Sequence, residues 1–317
     1  MNELNDSIQE FIIIGFPGYQ DRNSRFIIFG VLLTVYAILL LGNLFIIVIV
    51  LIDRDLHTPM YILMSNLALV DVVITTTTIP KLLAVLGTGA SGISIAGCFI
   101  QTLFCGSVTA VESFLLAIMA YDRYLAICKP LHYYTITNNS VVFKQVVCCW
   151  VGGFIALTIP LSLTFRLQFC GSNKLLHFFC DHSALLKLAC TDTTINSYLS
   201  LSIGMCVLLG SMLYILFSYA KIIMSVLKVT GNEGGLKAFS TCGTHLLVIS
   251  VFFLVAAGVY TAGRVPGSSL DIRVIAALIQ NVTPPLMNPV IYCLRTKEIK
   301  VSFVRLLKRI DILPNGN

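Results

Sequence analysis

Seven long apolar runs, separated by short polar stretches, constrain this chain more than any other feature. They cover residues 26–52, 60–86, 96–128, 142–163, 197–227, 237–261 and 270–294. A run of about 20 apolar residues is the length that crosses a bilayer as a helix. Inside hydrocarbon the backbone must satisfy its own hydrogen bonds, and a helix does this within one segment. The composition agrees: of 317 residues 57% are apolar and 11% charged, against about 25% charged in soluble domains. The expected fold is all-α, a polytopic membrane protein with a seven-transmembrane helix bundle and a short amphipathic C-terminal helix. Residues 1–25 form an extracellular N-terminus, 26–294 the seven-helix domain and 295–317 a cytoplasmic tail.

The third run carries the most information. At 100° per residue, Cys98, Cys105, Thr109, Glu112, Leu116 and Arg123 fall on one stripe. A polar stripe on a spanning helix faces protein, and the Val and Leu residues around it face lipid. The run ends in Asp122, Arg123 and Tyr124, where lipid meets water. An isolated Asp-Arg pair there reads first as an interface anchor. Ionisable groups at membrane depth are costly and otherwise mark function.

The N-terminal stretch is polar except for a short apolar patch at residues 11–16, and no cleavable signal fits it. Asn5-Asp6-Ser7 is a glycosylation sequon, usable if the N-terminus is exterior. Residues 87–95 read as a short exterior loop. Thirteen of the 21 Lys and Arg residues then fall on the inner side, the sign that membrane topology favours. The tail carries basic residues with a Val301, Val304, Leu307 stripe, as an interfacial helix would. Four cysteines (Cys105, Cys148, Cys149, Cys206) lie in apolar runs and read as small core residues. Cys170, Cys180 and Cys190 share the polar loop 164–196, and Cys98 stands where it reaches that loop. Four cysteines allow more than one pairing.

Two acids, Asp71 and Glu112, fall at mid-membrane. They cannot both stay charged without a cation or a shared proton. Asn43, Ser113 and Asn288 could add oxygen ligands for a cation; a structural protonated pair is the alternative.

Several stretches resemble one family. They are Leu56-His57-Thr58-Pro59-Met60-Tyr61, the decapeptide from Met119 to Cys128, the segment from Lys237 to Leu246, and Pro284-Pro285-Leu286-Met287-Asn288-Pro289-Val290-Ile291-Tyr292. In order and in place they are similar to odorant receptors, a branch of the rhodopsin-like G-protein-coupled receptors. The likeness runs from about Gly15 to Arg309. Departures are Val251-Phe252-Phe253-Leu254, where such receptors commonly show Phe-Tyr-Gly, and Lys129 before Pro130. The resemblance implies that Asp122 holds Arg123 at rest and that Arg123 meets a G protein when the sixth helix swings out. Tyr124, Tyr219, Asn288, Pro289 and Tyr292 belong to that switch, and His245 stands beside it. It also implies a sodium ion at Asp71 with Asn288 nearby, and disulfides Cys98–Cys180 and Cys170–Cys190. His177, Cys180 and His182 have metal-like spacing, but an oxidised Cys180 is no thiolate ligand, so no metal is expected.

By the same resemblance a ligand pocket lies among the outer halves of helices three, five, six and seven. Its candidate wall is Cys105, Gly106, Thr109, Ala110, Ile203, Val207, Ala256, Ala257, Tyr260, Leu278 and Asn281, with Arg264 at the mouth. Such an apolar wall with few polar groups suits small organic ligands. Arg264 reads first as a snorkelling anchor and second as a fork for a ligand carboxylate. The expected activity is odorant binding coupled to a stimulatory heterotrimeric G protein, at the plasma membrane of sensory cilia, without catalysis. The alternatives are a receptor for a non-odour ligand and a small-solute transporter.

Overall fold

Side chains just outside the apolar runs set where the helices begin. In the computed structural model, which describes residues 10–170, 172–229, 243, 246–258 and 269–309, α1 spans Arg22–Ile52. It starts four residues ahead of the apolar run because Asp21 caps it, accepting from the Ser24 amide at 2.9 Å. Pro59 opens α2 (Pro59–Thr88), where its missing N–H has no partner to lose. That helix stops at Gly89, whose φ of 75° lies in the left-handed region. Ser94 caps α3 (Ile95–Cys128) and Asn138 caps α4 (Asn139–Thr164). Next come α5 (Thr194–Val229), the apolar α6 (Leu246–Gly258) and α7 (Leu270–Arg295), with Ser269 capping α7. The tail forms α8, Lys297–Arg309. Among the described residues six helices are long and apolar enough to cross a membrane, and α6 is a shorter apolar one. Together they are the seven-helix bundle that the sequence led us to expect.

α3 is the axis of the bundle and packs on α2, α4 and α5; α1 packs on α2 and α7. The stripe on α3 faces protein: Cys98, Cys105, Glu112 and Leu116 are buried, and Thr109 and Arg123 half-buried. Large apolar side chains such as Leu41, Leu51, Ile155 and Leu213 point outward, as lipid-facing residues do. Lipid is as apolar as leucine, so helices associate through close packing at small residues. At Gly153 an added Cβ would lie 2.7 Å from the Ser107 carbonyl oxygen, so α4 meets α3 backbone to backbone there.

The exterior differs from expectation. The apolar patch at residues 11–16 and the loop 87–95 each supply a strand. β1 (Glu10–Ile13) is the central strand of a three-stranded sheet, antiparallel to β2 (Gly92–Ser94) and parallel to β3 (Lys174–Leu175). Phe11 and Ile13 are buried while Ile12 between them is not, the two-residue period of a strand. Backbone polar groups explain the pairing. The amides of Ile12, Ile13 and Ile14 donate to the carbonyls of Asn173, Ser91 and Leu175 at 2.8, 3.0 and 3.0 Å. Asn5 lies outside the described residues.

At the inner side α8 is tied to the turn after α1. Ser302 donates to Asp53 at 2.6 Å, Arg305 pairs with Asp53 and Asp55, and Phe303 meets Phe45 edge to face.

Candidate functional site

The mid-membrane cluster starts from a proline. Pro289 has no N–H, so the Pro285 carbonyl four residues back loses its helical partner. Asn43 of α1 replaces it, donating from Nδ2 to Pro285 O at 2.9 Å and to Leu39 O at 3.0 Å. Gly42 makes room: a Cβ there would sit 3.1 Å from the Pro289 ring. One residue before Pro289, Asn288 donates to Asp71 Oδ2 at 2.9 Å. Asp71 Oδ1 and Asn43 Oδ1 are buried and have no hydrogen-bond partner among the described residues. Glu112 is buried in α3 within electrostatic reach of Asp71. Ser113 donates to Thr109 O at 3.1 Å and keeps its lone pairs. The sequence-derived set thus contains two orphan oxygens and two buried acids. That is the donor chemistry a hard cation such as sodium takes.

At the inner end Arg123 Nη2 stands 3.6 Å from Asp122 Oδ2. Asp122 Oδ1 accepts from the Tyr133 hydroxyl at 2.8 Å. Sequence reasoning missed Tyr133 as a participant. It sits in a short helix, Tyr133–Ile136, that only the folded inner loop brings back to α3. Burial and the Asp122 carboxylate push the Tyr133 phenol up from its ordinary value. Tyr219 and Tyr292 are buried, and Tyr124 packs beside the core with Tyr121 stacked on it. Pro289 is one turn from Tyr292 on α7. His245 lies outside the described residues.

At the outer end the two disulfides are Cys98–Cys180 and Cys170–Cys190, with Cα atoms 5.4 and 5.7 Å apart. Two side chains that sequence reasoning passed over seat the first. Gln101 donates to Thr77 O and accepts from the Cys180 amide, both at 2.8 Å, and Thr102 donates to Cys180 O at 2.8 Å. The loop then dips inward, so that Phe179 packs against the same core as Cys105.

The expected wall is only partly assembled. Cys105 and Ala110 are buried; Thr109, Ile203, Val207 and Ala256 are half-buried. Gly106 faces α4 instead: an added Cβ would meet Leu157 at 2.7 Å, so the glycine serves helix contact. Ala257 is exposed on the outer surface of α6. Asn281 turns to α2, accepting from Thr78 at 2.7 Å, and Leu278 packs with Phe16 and Phe178. Periodicity gave each helix an inner face but not the helix that face meets. Tyr260 and Arg264 lie outside the described residues.

A family model described as olfactory receptor matches residues 32–309. The chain is 43% identical to olfactory receptor 6N1 of Homo sapiens, covering 96% of this chain and 97% of that one. It is 40% identical to olfactory receptor 1E5 of Pan troglodytes over 98% of both chains. Olfactory receptor 287 of Rattus norvegicus is 41% identical, over 94% of this chain and 95% of the relative.

Proposed function

This chain belongs to the olfactory receptor family, and from that premise we propose that it binds small organic odorants and activates a stimulatory heterotrimeric G protein, raising cAMP. It is a multi-pass membrane protein of a receptor class that is not an enzyme. In the proposed setting it stands in the plasma membrane of sensory cilia with the N-terminus outside. The observation that supports this reading best is α3 itself. One helix carries the buried Cys105 near the outer loop, Glu112 at mid-depth and the Asp122–Arg123 pair at the inner end.

The proposed mechanism is a shift between two helix packings. An odorant settles against Cys105, Thr109 and Ala110 on α3, with Ile203, Val207 and Ala256 opposite. At rest Asp122 is shared by Arg123 and Tyr133. In the active packing Arg123 leaves it for the G protein, while Tyr219 and Tyr292 turn inward. If sodium binds, Asp71 and Glu112 hold it with Asn43, Ser113 and Asn288 as oxygen partners. Its positive charge lets both carboxylates stay ionised.

A panel of volatile organic compounds with a cAMP readout tests the reading in cells that express the full chain. Some compound should raise cAMP in the wild type and none should do so in Arg123→Ala at equal surface expression. A cAMP response preserved in that variant would overturn the coupling role. Ligand-driven solute flux without cAMP would favour the transporter alternative.

A further inference from the structure

The segment from Glu10 to Gln20 is a strap laid across the exterior. β1 is its central strand, so it joins two loops that do not otherwise pair. Beyond β1 the parallel ladder continues: the Gly15 amide donates to the His177 carbonyl at 3.1 Å. Gly15 then has φ 71°, a left-handed turn that most side chains resist. The turn drops Phe16 into a cluster with Leu32, Leu82, Leu86, Phe178 and Val274. Past it the Gly18 amide donates to Asp271 at the start of α7, at 3.0 Å. The strap therefore rests on the His177 backbone carbonyl and the Phe178 side chain at one point and on α7 at the next.

His177 is the unusual part of this seat. Its ring stacks on Phe178 at 5.0 Å and 24° and meets the edge of Phe179 at 4.7 Å. Its Nδ1 is buried with no hydrogen-bond partner among the described residues. A neutral imidazole tolerates that, because an unprotonated ring nitrogen loses only an acceptor bond. An imidazolium would bury a charge there, and burial opposes it. The charged groups whose fields reach the ring are Asp181 and Lys187 of the same loop, acting in opposite senses. On the strap the ionisable groups are Glu10 and Tyr19, both exposed, and Asp21 just beyond it caps α1. On α2 Lys81 is engaged by the Ala90 and Gly92 carbonyls. In the first turn of α7 the ionisable residues are Asp271, which accepts from the Gly18 amide, and Arg273.

We propose that His177 is a proton-sensitive seat for the N-terminal strap: the neutral ring holds the strap closed over the outer loop, and the protonated ring releases it. Burial holds the imidazole below its ordinary value of 6.5, Asp181 pulls the other way, Lys187 adds to the burial effect and the Phe179 backbone favours the charged form. The sign follows from where the proton binds more readily. The released ring takes up a proton below about 6.5 and the seated ring resists it. Closure is therefore fully favoured above that pH and weakens as pH falls.

Hydrogen–deuterium exchange on the full-length receptor in lipid nanodiscs tests this without any odorant. The reporter peptides span residues 10–16, corrected for the intrinsic pH dependence of exchange. In the wild type, opening should grow below pH 6.5 by up to about tenfold per pH unit, the limit for one proton. His177→Gln and His177→Phe, which cannot titrate, should show no such rise. Peptides from the middle of α3 should stay protected throughout and report that each variant is folded. Unchanged strap protection in the wild type from pH 7.5 to 5.5 would overturn the proposal. An equal rise in either folded variant would assign the effect to another group and overturn it too.

Discussion

At the scale of single residues, a contact's cost depends on what can give way. Gly106 and Gly153 both sit between α3 and α4. A Cβ at Gly106 would meet the far end of the Leu157 side chain at 2.7 Å, and a rotamer change relieves that. A Cβ at Gly153 would meet Val111 at 2.6 Å and the Ser107 carbonyl oxygen at 2.7 Å, and backbone cannot step aside. Gly153→Ala should thus lower thermal stability by roughly 1–3 kcal/mol, and Gly106→Ala by much less. Melting of the two purified variants decides it, and equal losses would refute the distinction. The inner pair gives a second prediction. Tyr133 donates to Asp122 and helps hold it beside Arg123. Tyr133→Phe deletes one hydrogen bond to a carboxylate, about 1.5 kcal/mol or roughly tenfold in an equilibrium. Ligand-independent cAMP should rise several-fold at matched surface expression. A basal level equal to wild type would show that Tyr133 does not restrain the pair.

At the scale of elements, the exterior sheet is the clearest instance of a short strand made stable by its surroundings. β1 has four residues, and so short a strand has no stability alone. It persists because Phe11 and Ile13 close a cluster with Val85, Cys98, Leu175, Cys180 and Leu185, directly over a disulfide. Phe11→Ala should cost about 3 kcal/mol at that site. The loss should appear as faster exchange of the β1 and β3 amides, with the spanning helices protected as before. If β3 keeps its protection, the strand is not what orders the loop. Five of the helices were legible to within a few residues, because Asp21, Ser94, Asn138 and Ser269 cap α1, α3, α4 and α7 and Pro59 opens α2. The sheet was not, because pairing joins residues 10–13, 92–94 and 174–175 and no local pattern names a partner so distant.

At the scale of the whole molecule, the buried acids link three helices. Asp71 of α2 receives Asn288 of α7 and lies within electrostatic reach of Glu112 of α3. If sodium joins them, the folded receptor binds it and the unfolded chain does not, so salt should stabilise by mass action. Replacing choline chloride with sodium chloride at constant ionic strength should raise the melting temperature of the wild type. Asp71→Asn should abolish the rise, and no difference between the two salts in the wild type would remove the ion from the account. The sequence by itself determined the spans and the inward stripe of α3, because the bilayer fixes run length and the helix fixes period. Tertiary structure alone decided which faces meet. It turned Gly106 to α4 and Asn281 to α2, brought Tyr133 back to Asp122, and laid the strap on His177. Each is a contact between distant segments, and a helical period repeats identically whichever neighbour the helix finally packs against.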